Sequence, residues 1–181
     1  MLFNVAQLFK EPVGAERSHK VAERLEPHEA DQPSLVEGRV RFMRTDRGIW
    51  ANGVLRVVIA ATCSRCLGPV DLPLTFELDE EYLPLVDVAT GLPIADAGED
   101  TETFRLDEKH NLDLREAVRQ YTLAGTPMKP LCKDDCRGLC PDCGVNLNER
   151  DCGCADERRD QRLQVLKDML SGKAATKRNL R

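Results

Sequence analysis

Six of the chain's eight cysteines fall within 23 residues, from Cys132 to Cys154, and no other feature limits the fold as much. The stretch reads Cys132-x3-Cys136-x3-Cys140-Pro141-Asp142-Cys143-Gly144, followed by Cys152-x-Cys154. Two thiolates at i and i+3 converge on one cation when the chain makes a tight turn, and the amides after the first cysteine then donate to its sulfur. Gly144 supplies the positive φ that such a turn needs. Zinc takes four sulfurs of this kind tetrahedrally, at about 2.3 Å. A segment so poor in apolar residues has little core of its own, so the metal would supply most of its folding energy, on the order of 10 kcal/mol. Free buried thiols are the alternative reading. Lys133, Asp134, Asp135 and Arg137 make the surroundings too polar for it.

Compartment bears on this choice, because disulfides persist where the surroundings oxidise. No apolar run approaches the roughly 18–20 residues needed to span a bilayer. The opening MLFNVAQLFKEP has neither a long apolar stretch nor a small-residue cleavage site. The expectation is a cytoplasmic protein with reduced thiols and cysteines that ligate metal. The other two, Cys63 and Cys66, form an isolated C-x-x-C, which leaves three readings open: a redox pair, a buried structural pair, or metal ligands. A redox pair wants its first cysteine at a helix N-terminus, whereas this one follows a strand, and Pro69 and Pro73 oppose a following helix. Eight cysteines make two sets of four, so one or two zinc ions are expected. The favoured grouping is Cys140, Cys143, Cys152 and Cys154 for one ion and Cys63, Cys66, Cys132 and Cys136 for the other. The second set would fasten a sheet to the segment after a helix. The spacing Cys136-x3-Cys140-x2-Cys143 also matches an iron–sulfur motif of radical enzymes, but those place it ahead of a large α/β barrel, and here β-type sequence precedes it.

Upstream, alternation sets the architecture. Val36, Gly38, Val40 and Phe42 share one face of a strand, opposite Glu37, Arg39 and Arg41. Asp46-Arg47-Gly48 is a turn, and a second strand runs from Ile49 to about Thr62. After a Gly68-Pro69 turn, Val70, Leu72, Leu74, Phe76 and Leu78 alternate with polar residues, and Pro73 marks an edge strand. Three strands joined by short turns make an antiparallel meander. Residues 83–103 hold prolines, glycines and the acids Asp96, Glu99, Asp100 and Glu102, and read as a flexible linker. Phe104–Leu106 is a short strand. Asp113 and Glu116 form a capping box for a helix whose face is Leu114, Ala117, Val118 and Tyr121. Gly125 and Pro127 end it. Before the meander the signals are weak: a short helix over Asn4–Lys10 and a polar turn around His28. The expected class is therefore α+β. Residues 1–127 form an antiparallel sheet with one packed helix, 128–155 a cysteine-rich zinc module, and 156–181 a C-terminal helix and basic tail.

Catalytic signatures are missing: the sequence has no Gly-rich phosphate loop, no Ser/His/Asp arrangement and no H-E-x-x-H. His19, His28 and His110 are isolated in polar stretches. The formal net charge of −5 gives no global attraction for nucleic acid, so any such contact must be local. The candidates are Arg39, Arg41, Arg44 and Arg47 on the first hairpin and Lys173, Lys177 and Arg178 in the tail. The cysteine module carries more acid than base and suits scaffolding better than RNA reading.

Several of these stretches together resemble the YceD family. They are Cys63-Ser-Arg-Cys66-Leu67, Leu112-Asp-Leu114, Pro127-x-x-Pro130-Leu-Cys132 and Cys136-x-Gly-Leu-Cys140-Pro-x-Cys143-Gly-x-Asn146-Leu-Asn148 with its trailing Cys152-x-Cys154. The ending Asp160-x-Arg162-Leu163-x-x-Leu166 is also similar. The resemblance implies a non-catalytic bacterial ribosome-biogenesis factor that supports accumulation and processing of large-subunit ribosomal RNA. It would act by binding that RNA or a large-subunit ribosomal protein, with neither a small-molecule substrate nor a membrane. The alternative is a protein–protein adaptor that holds structural zinc and makes no RNA contact.

Overall fold

In the computed structural model, residues 1–25, 34–88, 90–94, 103–154 and Met169 are described. Alternation shapes the sheet as expected. Strand β3 (Ser34–Arg44) buries Val36, Val40 and Phe42 on one face, and β4 (Ile49–Thr62) answers with Ile49, Ala51, Leu55 and Val57. The turn between them closes through Thr45, whose N–H donates to the Gly48 carbonyl (3.0 Å) and whose Oγ1 accepts from the Gly48 N–H (2.8 Å). A β-carbon at Gly53 would stand 2.2 Å from the Arg39 carbonyl oxygen, so the β3–β4 ladder requires glycine there. Strand β5 (Pro69–Leu83) pairs with β4 along its whole length, from Thr62↔Pro69 to Ile49↔Tyr82.

The meander has one strand more than the three expected. Strand β2 (Glu16–Leu25) pairs antiparallel with β3 from Glu16↔Met43 to Leu25↔Ser34. A short fifth strand, β6 (Phe104–Arg105), joins the far side of β5 in parallel, at Tyr82↔Phe104 and Leu83↔Arg105. The sheet order is β2-β3-β4-β5-β6. Among the described residues β6 pairs only with the end of β5 and the rest of β5 has no further strand partner, in keeping with Pro73. Residues 2–4 correct the expectation of a helix over Asn4–Lys10. Leu2–Asn4 is strand β1, paired with β7 (Asn111–Asp113), and only Leu8–Lys10 makes a 3₁₀ turn. The physical reason is that the Asn4 amide is tied to Asn111 Oδ1 (2.9 Å) and to the Lys109 carbonyl (3.0 Å), which holds the chain extended.

Helix α1 (Arg115–Gly125) is the one complete helix among the described residues. Leu114, Ala117 and Val118 are buried, and the Tyr121 ring lies 5.6 Å from Phe76, so the helix covers the inner face of β5. The N-cap is Leu114, which makes no side-chain cap bond, so Asp113 does not take the N-cap place expected of it; one residue earlier, it accepts the Arg115 N–H (3.0 Å), while the Glu116 carboxylate pairs with Arg119 (2.9 Å). Within the stretch read as a linker, the described residues 85–88 and 90–94 are tied to one another. Val86 bridges to Pro93, the Ile94 N–H reaches the Leu85 carbonyl (3.0 Å), and Asp87 Oδ1 accepts from the Thr90 N–H (2.7 Å). The acidic string from Asp96 to Glu102 lies outside the described residues, as do His28 with its turn, the expected C-terminal helix apart from Met169, and the basic tail. No helix of the described residues is long and apolar enough to cross a membrane.

The chain divides into two units between Cys136 and Arg137. Cys132 and Cys136 fall in the sheet unit, where they group with Cys63 and Cys66.

Candidate metal centres

The β4–β5 turn makes the first half of one centre. The Cys63 N–H donates to the Gly68 carbonyl (2.8 Å), and the Leu67 N–H donates back to the Cys63 carbonyl (3.0 Å). In the second unit the same two bonds recur. Cys140 N–H reaches the Val145 carbonyl (2.8 Å), and Gly144 N–H reaches the Cys140 carbonyl (2.9 Å). The residue after the second cysteine is left-handed in both, with φ 57° at Leu67 and 71° at Gly144. The two C-x-x-C turns are therefore one structure built twice. A left-handed leucine is strained by roughly 1–2 kcal/mol, and such strain persists where the surroundings over-determine the backbone. Glycine at Gly144 pointed to a knuckle from sequence; leucine at the matching place hid the equivalence.

Each knuckle meets a second pair of cysteines. In the sheet unit, Cys63 Sγ lies 3.8 Å from Cys136 Sγ, and Cys66 Sγ lies 3.7 Å from Cys132 Sγ. A regular tetrahedron with 2.3 Å bonds has ligand separations of about 3.8 Å. The four sulfurs lie within 4.8 Å of one another. The segment carrying Cys132 and Cys136 is held against the knuckle by Ser64, whose N–H (2.8 Å) and hydroxyl (3.0 Å) both donate to the Pro130 carbonyl. The Arg65 guanidinium donates to the Asp134 (3.3 Å) and Cys136 (3.0 Å) carbonyls. Cys63, Cys66 and Cys136 are buried and Cys132 is exposed.

In the second unit Cys140, Cys143, Cys152 and Cys154 converge within the same limit, with Cys140 buried and Cys143 and Cys154 exposed. Backbone contacts there are short-range: Leu139 bridges to Asn146, Leu147 N–H reaches the Gly138 carbonyl (2.9 Å), and Asn148 Oδ1 accepts the Arg137 N–H (2.9 Å). The structure thus brings together the two sets of four favoured from sequence.

The electrostatics of both clusters suit a cation. The backbone N–H of Cys66 leads in drawing the Cys63 thiol down to about 6, and those of Cys143 and Asp142 draw Cys140 down to about 7. The last thiols go the other way. Desolvation among its neighbours raises Cys132 to about 12, and hydrogen bonding to Cys143 raises Cys154 to about 12. One thiolate per cluster is favoured by amide dipoles, and further negative charge in the same small volume is opposed. A dication at the centre removes that opposition, and four sulfurs at tetrahedral separation are the donor set of structural zinc.

The basic candidates lie elsewhere. Arg39 and Arg41 share the outward face of β3, where Arg41 sits 5.6 Å over the Trp50 ring and 3.5 Å from Glu16. The Arg44 guanidinium donates to the Glu11 carbonyl, and with Arg47, Lys10 and Phe9 it lines a cleft of about 650 Å³ at the end of the sheet. Lys173, Lys177 and Arg178 lie outside the described residues.

Residues 51–170 match the family described as "Large ribosomal RNA subunit accumulation protein YceD", a span that contains all eight cysteines. An uncharacterized protein of Mycobacterium tuberculosis strain H37Rv is 30% identical over 83% of this chain and 70% of its own length. The Arabidopsis thaliana protein named "Large ribosomal RNA subunit accumulation protein YCED homolog 1, chloroplastic" is 26% identical over 70% of this chain and 46% of its own. No solved structure matches the chain.

Proposed function

Since the chain belongs to the YceD family of large ribosomal RNA subunit accumulation proteins, we propose that it is a non-catalytic cytoplasmic factor in large-subunit maturation that contacts large-subunit ribosomal RNA. Two structural zinc ions hold it in shape, one bound by Cys63, Cys66, Cys132 and Cys136, the other by Cys140, Cys143, Cys152 and Cys154. The observation that carries this reading is that the region matching the family, residues 51–170, contains both cysteine clusters. All eight cysteines are taken up in the two clusters, which leaves none as a nucleophile. A second reading, an adaptor that binds a basic ribosomal protein, is favoured by the net charge of −5.

Depleting the protein in its own cells is expected to lower large-subunit RNA relative to small-subunit RNA. The tagged protein should sediment with large-subunit precursors. An unchanged RNA ratio, with the protein confined to the top of the gradient, would overturn the proposal.

A further inference from the structure

Register across the sheet builds a surface that no single strand shows. Lys20 of β2, Arg39 of β3, Val54 of β4 and Glu77 of β5 form one row across the outward face. Arg41, Asn52 and Asp79 follow in the next outward row, and Glu37 and Arg56 belong to the row on the other side. Lys20 and Arg39 are direct cross-strand partners of like charge, an arrangement that destabilises a sheet. Both are exposed, and neither they nor Arg56 makes an ion pair among the described residues. Glu37 stands opposite Arg56 and Glu16 pairs with Arg41, but the row of Lys20 and Arg39 holds no acid before Glu77 on β5, so folding gains nothing from setting those two cations side by side. The acids of this face stand mainly on β5 and are tied down towards β4. Asp79 accepts from the Trp50 indole, and Glu77 accepts from the Asn52 amide (3.5 Å). Val54, between the two halves, is 57% exposed, and no described residue covers it.

We propose that the outward face of β2, β3 and β4 is an RNA-contacting surface in which Lys20, Arg39, Arg41 and Arg56 take the phosphates of one strand. The inference rests on the ribosomal-RNA reading above. Alternate residues on a strand lie about 7 Å apart and neighbouring strands about 4.8 Å apart, so the four cations form a compact patch. The acids of β5 stand two strand spacings from β3, roughly 10 Å away, and repel phosphate from that half. The RNA backbone therefore runs over β2, β3 and the Arg56 position of β4 and does not cross to β5. Arg44 and Arg47, at the end of the sheet, are not part of this surface.

The test is binding of the full-length, metal-loaded protein to purified large-subunit ribosomal RNA across a salt series. Each phosphate contact contributes roughly 0.7 to 0.9 to the slope of log affinity against log salt. The triple change K20Q/R39Q/R56Q is expected to flatten that slope by about 2 to 3, with thermal unfolding showing an intact fold. A charge-matched control, K109Q/R119Q/K129Q, is expected to keep the wild-type slope. If wild type binds the RNA and both variants flatten the slope equally, or K20Q/R39Q/R56Q leaves it unchanged, the surface is wrong while the RNA reading stands. If wild type binds no RNA yet still sediments with large-subunit precursors, and E77Q/D79Q releases it, the RNA reading fails as well and the face belongs to a basic protein.

Discussion

Hydrogen exchange after chelation is expected to show protection lost throughout residues 137–154 while the β3–β4–β5 ladder stays protected. The expectation follows from what each unit has to bury. Among the described residues of the second unit only Gly138 and Cys140 are buried. That is far too little apolar area to offset the conformational entropy of ordering the segment, which is roughly 1–2 kcal/mol per residue for the backbone alone. A structural zinc site contributes on the order of 10 kcal/mol, and the described residues of the segment offer no stabilisation of that size without it. The sheet unit is different, because Phe42, Leu55, Val57, Leu78 and Tyr82 are all fully or almost fully buried in one cluster without help from sulfur. There, loss of the ion should raise exchange only locally, around Cys63–Gly68 and Pro130–Cys136. Uniform loss of protection through the strands would mean that the first centre is required by the whole sheet.

Phe42→Ala is expected to destabilise the sheet unit by about 3–5 kcal/mol, the usual cost of deleting a buried aromatic ring. Phe42 is fully buried, with the Phe3 ring at 5.2 Å and the His19 ring at 5.1 Å. Its removal therefore opens a cavity where β1, β2 and β3 meet. Domains of this kind have net stabilities of about 5–15 kcal/mol, so the loss is a large part of the total and should appear as a much lower urea midpoint with zinc held constant. A change below about 1 kcal/mol would fit a half-exposed ring and contradict the packing described.

How far the sequence discloses this structure depends on whether the cause is local. Val36, Val40 and Phe42 alternate with charged residues, and so do the apolar residues of β5. One buried face writes such a pattern into the chain, and those strands were legible within it. Strand β2 carries no such pattern. Only Val21 of Glu16–Arg24 is buried, and the strand exists because β3 offers it a ladder of backbone partners. Strands β1 and β7 are three residues each and form only where the chain's start meets Asn111–Asp113, which no local rule foresees. At the metal centres, spacing gave the C-x-x-C pairs and the count of eight gave the two sets. The equivalence of the two knuckles was hidden, because it lies in hydrogen bonds and in the φ of Leu67 rather than in residue type. Lys20 and Arg56 escaped for a similar reason: their neighbours on the outward face are set by register between strands.

Metal analysis of the native protein tests most directly the proposal of two tetrahedral zinc centres. Protein purified without added metal is expected to contain two zinc ions per chain. Cys63→Ser and Cys140→Ser should each lower that number to one, and native protein should react slowly with thiol reagents until metal is withdrawn. Zinc near zero with eight freely reactive thiols, or a content of two that neither substitution changes, would contradict it.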